Sequence, residues 1–121
     1  MFGPEGELLR RAAELIEGKK GERLVVVDLR EASIPTSFFL IADGENPVHV
    51  RAMAEELLAK MPIAPQHAEG MGEGRWVLLD YGGFVVHLFH KEARAFYDLE
   101  GLWSDRKVRP WPPLHPSAPG V

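Results

Sequence analysis

The spacing of apolar positions changes repeatedly along the chain, and each change marks an element. Leu8, Leu9, Ala12, Ala13, Leu15 and Ile16 recur at helical intervals, predicting a helix over residues 4–17 with Gly18 at its C-terminal end. "LVVVDL", residues 24–29, is a short β-branched run of the kind that forms a buried strand. "REASIPTS" reads as loop around Pro35, and "FFLIA", residues 38–42, as a second strand. "DGENP" then turns into a helix. Asn46 suits the N-cap, Pro47 the first helical position, and Val50, Met53, Ala54, Leu57 and Leu58 form its apolar stripe. Pro62 and Pro65 end that helix, and residues 62–74, with three glycines, read as loop. Two apolar runs, 76–81 and 84–89, flank Gly82-Gly83, a connection suited to a tight hairpin. A last helix is predicted over about residues 90–99.

From Arg109 onward the chain holds five of its ten prolines, a density that excludes helix and central strand. Residues 1–108 are therefore expected to form the domain, and residues 109–121 an extended proline-rich tail whose Trp111 and Leu114 are candidates for docking on the body. The element order predicts a small α/β (α+β) protein with a mixed sheet and helices packed on it.

Composition narrows the function. The 121 residues suffice for one domain with a real core, and 45% hydrophobic with 26% charged residues is ordinary for a globular protein. The absence of cysteine excludes disulfides, thiolate catalysis and Cys-based zinc sites. The first residues are polar and acidic, unlike a signal region, and no apolar run approaches the roughly 18 residues of a membrane span, so a cytoplasmic location without membrane contact is expected. A formal charge of −4 argues against broad binding to a nucleic-acid backbone and suits a basic protein as partner.

"DYGGFVVHLFH", residues 80–90, places a carboxylate and an imidazole on two apolar runs. For a metal, ligands must converge. Here His49 falls on a helix, and His87 and His90 fall on opposite faces of one strand, so no metal site is expected. Asp28 and Asp80 end apolar runs, where acid–base groups gather but where turn-forming Asp is also common. "GMGEG", residues 70–74, precedes a strand rather than a helix, unlike a dinucleotide loop. No phosphate loop or serine elbow is present, and no catalytic or cofactor-binding residue is assigned. What stands out is a set of aromatics, Trp76, Tyr81, Phe96, Tyr97 and Trp103, among the acids Asp80, Asp98 and Glu100. Such a set is either core or a protein-binding surface.

"VVVDLREAS", "FFLIADGENPVHVRAMAEEL" and "WVLLDYGGFVVHLFHKEARAFYDLEGLW" together resemble the ribosomal silencing factor (RsfS) or Iojap-like family across residues 5 to about 105. Trp76, Asp80, Tyr81, Gly82, Val86, His87, Arg94, Tyr97, Leu99, Glu100, Leu102 and Trp103 carry the most specific part, and His49-Val50 after Gly44 a second. The resemblance implies a fold related to nucleotidyltransferases without their catalytic carboxylates. It implies a translation repressor that binds the large ribosomal subunit through its ribosomal protein fourteen, blocks joining of the small subunit during nutrient limitation, and forms a homodimer when free. Contact with ribosomal RNA would be peripheral at most. The alternative is a divergent nucleotidyltransferase-like, nucleotide-binding enzyme using Asp28 and Asp80. Three positions depart from the family pattern: Ser37 and Gly83 stand where acids are usual, and Asn46 where serine is usual.

The residues expected to meet the partner are Trp76, Asp80, Tyr81, His87, Tyr97 and Glu100. Strand alternation puts Trp76, Leu78 and Asp80 on one face and Val77, Leu79 and Tyr81 on the other. The first face is expected outward, beside Tyr97 and Glu100.

Overall fold

The computed structural model describes residues 4–97 and 107–110. Helix α1 (Pro4–Gly18) leads into β1 (Glu22–Asp28), β2 (Phe38–Gly44), α2 (Pro47–Lys60), β3 (His67–Glu69), β4 (Trp76–Asp80), β5 (Phe84–His90), α3 (Lys91–Tyr97) and β6 (Lys107–Pro110). The strands form one mixed sheet in the order β3-β4-β5-β2-β1-β6, parallel only between β2 and β5. That parallel pair needs a crossover, which α2 and the β3–β4 segment supply.

The helices divide between the two faces of the sheet. On one face, Leu9, Ala12, Ala13 and Ile16 of α1 and Val50, Met53, Ala54 and Leu57 of α2 pack on Val26, Leu40, Ala42, Val77, Leu79, Val86 and Leu88. On the other face the cluster formed by the described residues is smaller. Val27, Ile41 and Phe89 meet Leu29 of the β1–β2 loop and Ala93 of α3, while Val25, Ala32, Ile34, Phe39 and Trp76 stay partly exposed around them.

The start of α2 follows the sequence expectation. Asn46 is extended, at φ −157° and ψ 171°, and its Oδ1 accepts from the His49 backbone N–H at 2.9 Å. An Asn cap of this kind contributes about 0.5–2 kcal/mol. Gly44, at the end of β2, lets the helix sit close: a Cβ there would stand 2.8 Å from Val50 Cγ2. His49 then ties two helix ends together, its Nδ1 accepting from Glu45 N–H at 2.9 Å and its Nε2 bonding Lys19 O at 2.6 Å.

Four features differ from the pattern-based expectation. The segment 62–74 holds a short edge strand, His67–Glu69, whose residues are all exposed. It pairs with β4 through backbone atoms, so no apolar alternation announces it. Strand β1 starts at Glu22, because a register shift between Glu22 and Val25 sets Arg23 at φ 52° and extends the pairing past the apolar run. His90 remains in β5, bonded through its N–H to Arg75 O at 2.9 Å, and helix α3 starts one residue later. Finally, Arg109 and Pro110 belong to β6, which pairs with β1 and crosses the expected boundary at residue 108. A proline is compatible with that place because β6 is an edge strand, where one N–H side faces no neighbour. The expected end of the last helix near Leu99, and the docking of Trp111 and Leu114, lie outside the described residues.

A buried ion pair holds α3 to the sheet. Arg94 Nη1 donates to Asp43 Oδ1 at 2.8 Å and to Arg23 O at 2.6 Å, and Arg23 Nε donates to Asp43 Oδ2 at 2.5 Å. The Asp43 and Arg94 side chains are 2% and 3% exposed, whereas Arg23 is 60% exposed. Removing one partner of a buried pair strands the other charge. Arg94→Met is therefore expected to cost about 3–5 kcal/mol, and Arg23→Ala about 1 kcal/mol or less from its exposed ion pair. Urea midpoints of the two variants check this: equal losses would show that the pair is not what holds α3.

Candidate functional site: the outer face of the β4–β5 hairpin

The hairpin is closed by Tyr81 N–H donating to Phe84 O at 2.9 Å, with Gly82-Gly83 as the two-residue turn. Gly82 has φ +91°, a conformation open to glycine at no steric cost. Asp80 supports the turn from the side: its Oδ1 accepts the Gly82 N–H at 2.8 Å. The neighbouring loop is fastened to the same turn, because Ser37 N–H donates to Gly83 O at 2.9 Å. Two of the positions that depart from the family pattern, Ser37 and Gly83, thus meet through their backbones.

Alternation sorts the hairpin as expected. Val77, Leu79 and Tyr81 point into the helix-covered core; Trp76, Leu78 and Asp80 are half-buried on the other face. The register aligns Trp76 with Phe89, Leu78 with His87 and Asp80 with Val85, so His87 shares the Trp76 face. β3 continues it, with Glu69 opposite Leu78 and His67 opposite Asp80. His67 Nε2 and a Glu69 carboxylate oxygen are themselves in contact.

Trp76 and His87 form one unit. The indole stacks on Phe89 with ring centroids 5.0 Å apart, and its Nε1–H donates to His87 Nδ1 at 3.1 Å. Phe39 meets the imidazole edge-on at 4.5 Å. His87 is 4% exposed, and burial pushes its pKa down to about 4. The ring is neutral at pH 7. Since Nδ1 accepts from Trp76, the proton sits on Nε2, which has no hydrogen-bond partner among the described residues.

Of the other expected contact residues, Tyr81 stands apart from this face. It is 5% exposed in the helix-side core, stacked on Phe84 at 5.2 Å, and burial raises its phenol to about 12. Its place on the opposite side of the sheet follows from strand alternation, and as the chain is folded here it cannot join Trp76 and Asp80 in one surface. Tyr97 is the last residue of α3; its side chain, and Glu100 altogether, lie outside the described residues. The sequence pattern did not single out Asp43 and Arg23 as partners of Arg94, since no spacing rule links positions 23, 43 and 94. An acid in the otherwise apolar β2, buried where a turn was expected, was the available signal.

The geometry also separates Asp28 from Asp80. Asp28 aligns with Phe38 and Phe84, which face the helices, whereas Asp80 aligns with Val85 on the other face. Three strand spacings lie between them, about 14 Å. Asp28 is engaged locally, bonding Arg30 Nη2 at 2.6 Å and Arg30 Nε at 3.0 Å. Two carboxylates so placed cannot share a metal or act on one substrate atom.

Fold and site together define a small mixed-sheet α/β protein whose candidate site is a half-buried aromatic face bordered by Asp80 and Glu69. Comparison with known proteins gives the family. Residues 4–119 match the family described as "Ribosomal silencing factor during starvation". A ribosomal silencing factor of Halalkalibacterium halodurans is 41% identical over 102 residues, covering 82% of this chain and 87% of that protein. The one from Bacillus subtilis is 38% identical over 101 residues, covering 81% and 86%. A crystal structure of a Chromobacterium violaceum protein superposes with a TM-score of 0.77 at 29% identity, covering 82% of this chain and 85% of that one. One from Bacillus halodurans gives 0.72 at 40% identity, covering 81% and 94%. The chain belongs to the ribosomal silencing factor family, whose role is regulatory and not enzymatic.

The depressed pKa of His87 has a sign that can be tested. The folded protein resists protonating this ring and the unfolded chain does not, so its contribution is complete above the unfolded value of about 6.5. That contribution falls away as pH drops toward about 4. Between pH 7 and pH 5, wild type is expected to lose more stability than His87→Phe, with all other titrations shared by the two. Urea midpoints at both pH values measure it, and parallel losses would show that His87 is not shielded.

Proposed function

We propose that this protein binds the large ribosomal subunit through its ribosomal protein fourteen, occupies the surface where the small subunit would join, and so represses translation when nutrients are scarce. The observation that supports it most directly is the family match over residues 4–119. A mouse relative, 29% identical over 76% of this chain, bears the name "Mitochondrial assembly of ribosomal large subunit protein 1", which points to the same subunit. The chain spans 43% of that relative.

The docking surface we assign is the Trp76 face, with Leu78, Val85 and Phe39 as its apolar centre and Asp80 and Glu69 as its acidic rim. An acidic rim around an aromatic anchor suits the Arg and Lys of a ribosomal protein and repels RNA phosphates. Blocking is steric, since two bodies cannot occupy one surface, and requires no chemistry. The free protein is a homodimer in the cytoplasm in this reading, paired either through this face or through the open edge of β3. Pairing through the face would make dimer and ribosome complex mutually exclusive.

The protein is expected to co-sediment with free large subunits and to slow their association with small subunits, followed by light scattering. Sedimentation with small subunits alone, or unaltered association, would end this reading. Asp80→Asn keeps an oxygen for the Gly82 N–H and removes the charge. It should leave the melting temperature nearly unchanged and weaken large-subunit binding by about 1–2 kcal/mol. Unchanged affinity in the folded variant would remove Asp80 from the surface.

A further inference from the structure

The ring of His87 is complete on one side only. Its Nδ1 holds the Trp76 indole N–H, and its Nε2–H, buried among Trp76, Phe39 and Phe89, finds no acceptor among the described residues. A buried donor without a partner is uncommon and unfavourable, and a phenylalanine in this aromatic setting would avoid it. Holding the indole does not require the second nitrogen. The orphan is also well placed: His87 lies in the same row of the sheet as Leu78 and Glu69, one row from Trp76 and Phe89 on one side and from Asp80 and Val85 on the other. Trp76, Leu78 and Phe39 share this face and are half-buried, and Trp76 and Phe39 touch the ring, so a docking partner would bear on side chains beside it.

We propose that the Nε2–H of His87 is a donor reserved for the partner, completed on docking by a neutral carbonyl oxygen of a polypeptide. This deepens the docking reading above and rests on it. The acceptor class follows from the surroundings. The donor is uncharged, its walls are aromatic, and the nearby groups on the same face include the carboxylates of Asp80 and Glu69. A phosphate or carboxylate brought here would meet the like charge of these two groups, whereas a backbone or side-chain amide carbonyl carries no such penalty. Basic side chains of the same partner would reach the acidic rim while its carbonyl meets His87. The histidine is then a specificity-determining residue: it rejects surfaces that offer no acceptor at that point, because they would leave the donor unpaired in a drier environment.

The test uses the full chain and purified large ribosomal subunits. His87→Phe keeps an aromatic ring and removes both the donor and the acceptor that holds Trp76; His87→Gln retains both an acceptor for Trp76 and a donor. His87→Phe is expected to fold with a melting temperature equal to wild type or close to it, and to bind large subunits about tenfold more weakly, the scale of one hydrogen bond lost with its acceptor left unpaired. His87→Gln is expected to recover most of that loss. If His87→Phe does not fold, His87→Leu takes its place with the same expectation. Wild-type affinity in the folded Phe or Leu variant overturns the proposal. So does weakening that only tracks a fall in melting temperature, or a His87-dependent affinity that persists on protein-free large-subunit RNA. Failure of wild type itself to bind large subunits would overturn the docking reading first, and this proposal with it.

Discussion

The buried contact among Asp43, Arg94 and the Arg23 backbone is the constraint on which the outer half of the molecule depends. α1 and α2 are held to their face by a wide apolar interface, whereas among the described residues α3 contributes one side chain, Ala93, to the cluster beneath it. Among the described contacts, what ties α3 to the sheet is a guanidinium inserted between the end of β2 and the bulge of β1, where it meets both a carboxylate and a carbonyl. The bulge is part of the same device. Setting Arg23 at positive φ turns its carbonyl toward Arg94 and its own guanidinium toward Asp43, so the strain of a non-glycine residue there is offset by two charge-assisted bonds.

One side of the sheet is sealed by two helices, and the other is a layer of aromatics stiffened by mutual contact: Phe89 under Trp76, Phe39 against His87, and the indole N–H fixed on the imidazole. At the far end, Asp80 pins the hairpin turn, and Ser37 pins the β1–β2 loop to that turn. In the proposed docking role, aromatics already held by one another would lose little ordering entropy on meeting a partner. The two acids that once stood as an alternative reaction centre serve local turns on opposite faces. The family to which the chain belongs is in keeping with that division.

Much of this was legible along the chain. Both long helices, the four apolar strands, the Asn46 cap and the glycine hairpin are local events, decided by side-chain period, capping chemistry and turn preference within a few residues of one another. The two faces of β4 were equally readable, because alternation is enforced by the geometry of a strand. So was the family, from "DYGGFVVHLFH" and its surroundings. Alternation likewise put Tyr81 on the face opposite Trp76, although both were expected to meet the partner, and the structure buries Tyr81 in the helix-side core.

What the sequence by itself determined, then, are the elements and the face each side chain takes within its element. The tertiary structure alone decided which elements meet. β3 and β6 exist because β4 and β1 offer open backbone edges, and backbone pairing is nearly blind to side-chain pattern. The ion pair joins positions 23, 43 and 94, a closeness that only the order of strands creates. His87 shows both limits at once: its face could be read from its place in the strand, but its neutral ring and fixed proton arise from burial beside a tryptophan eleven residues away, and burial is a property of the folded chain.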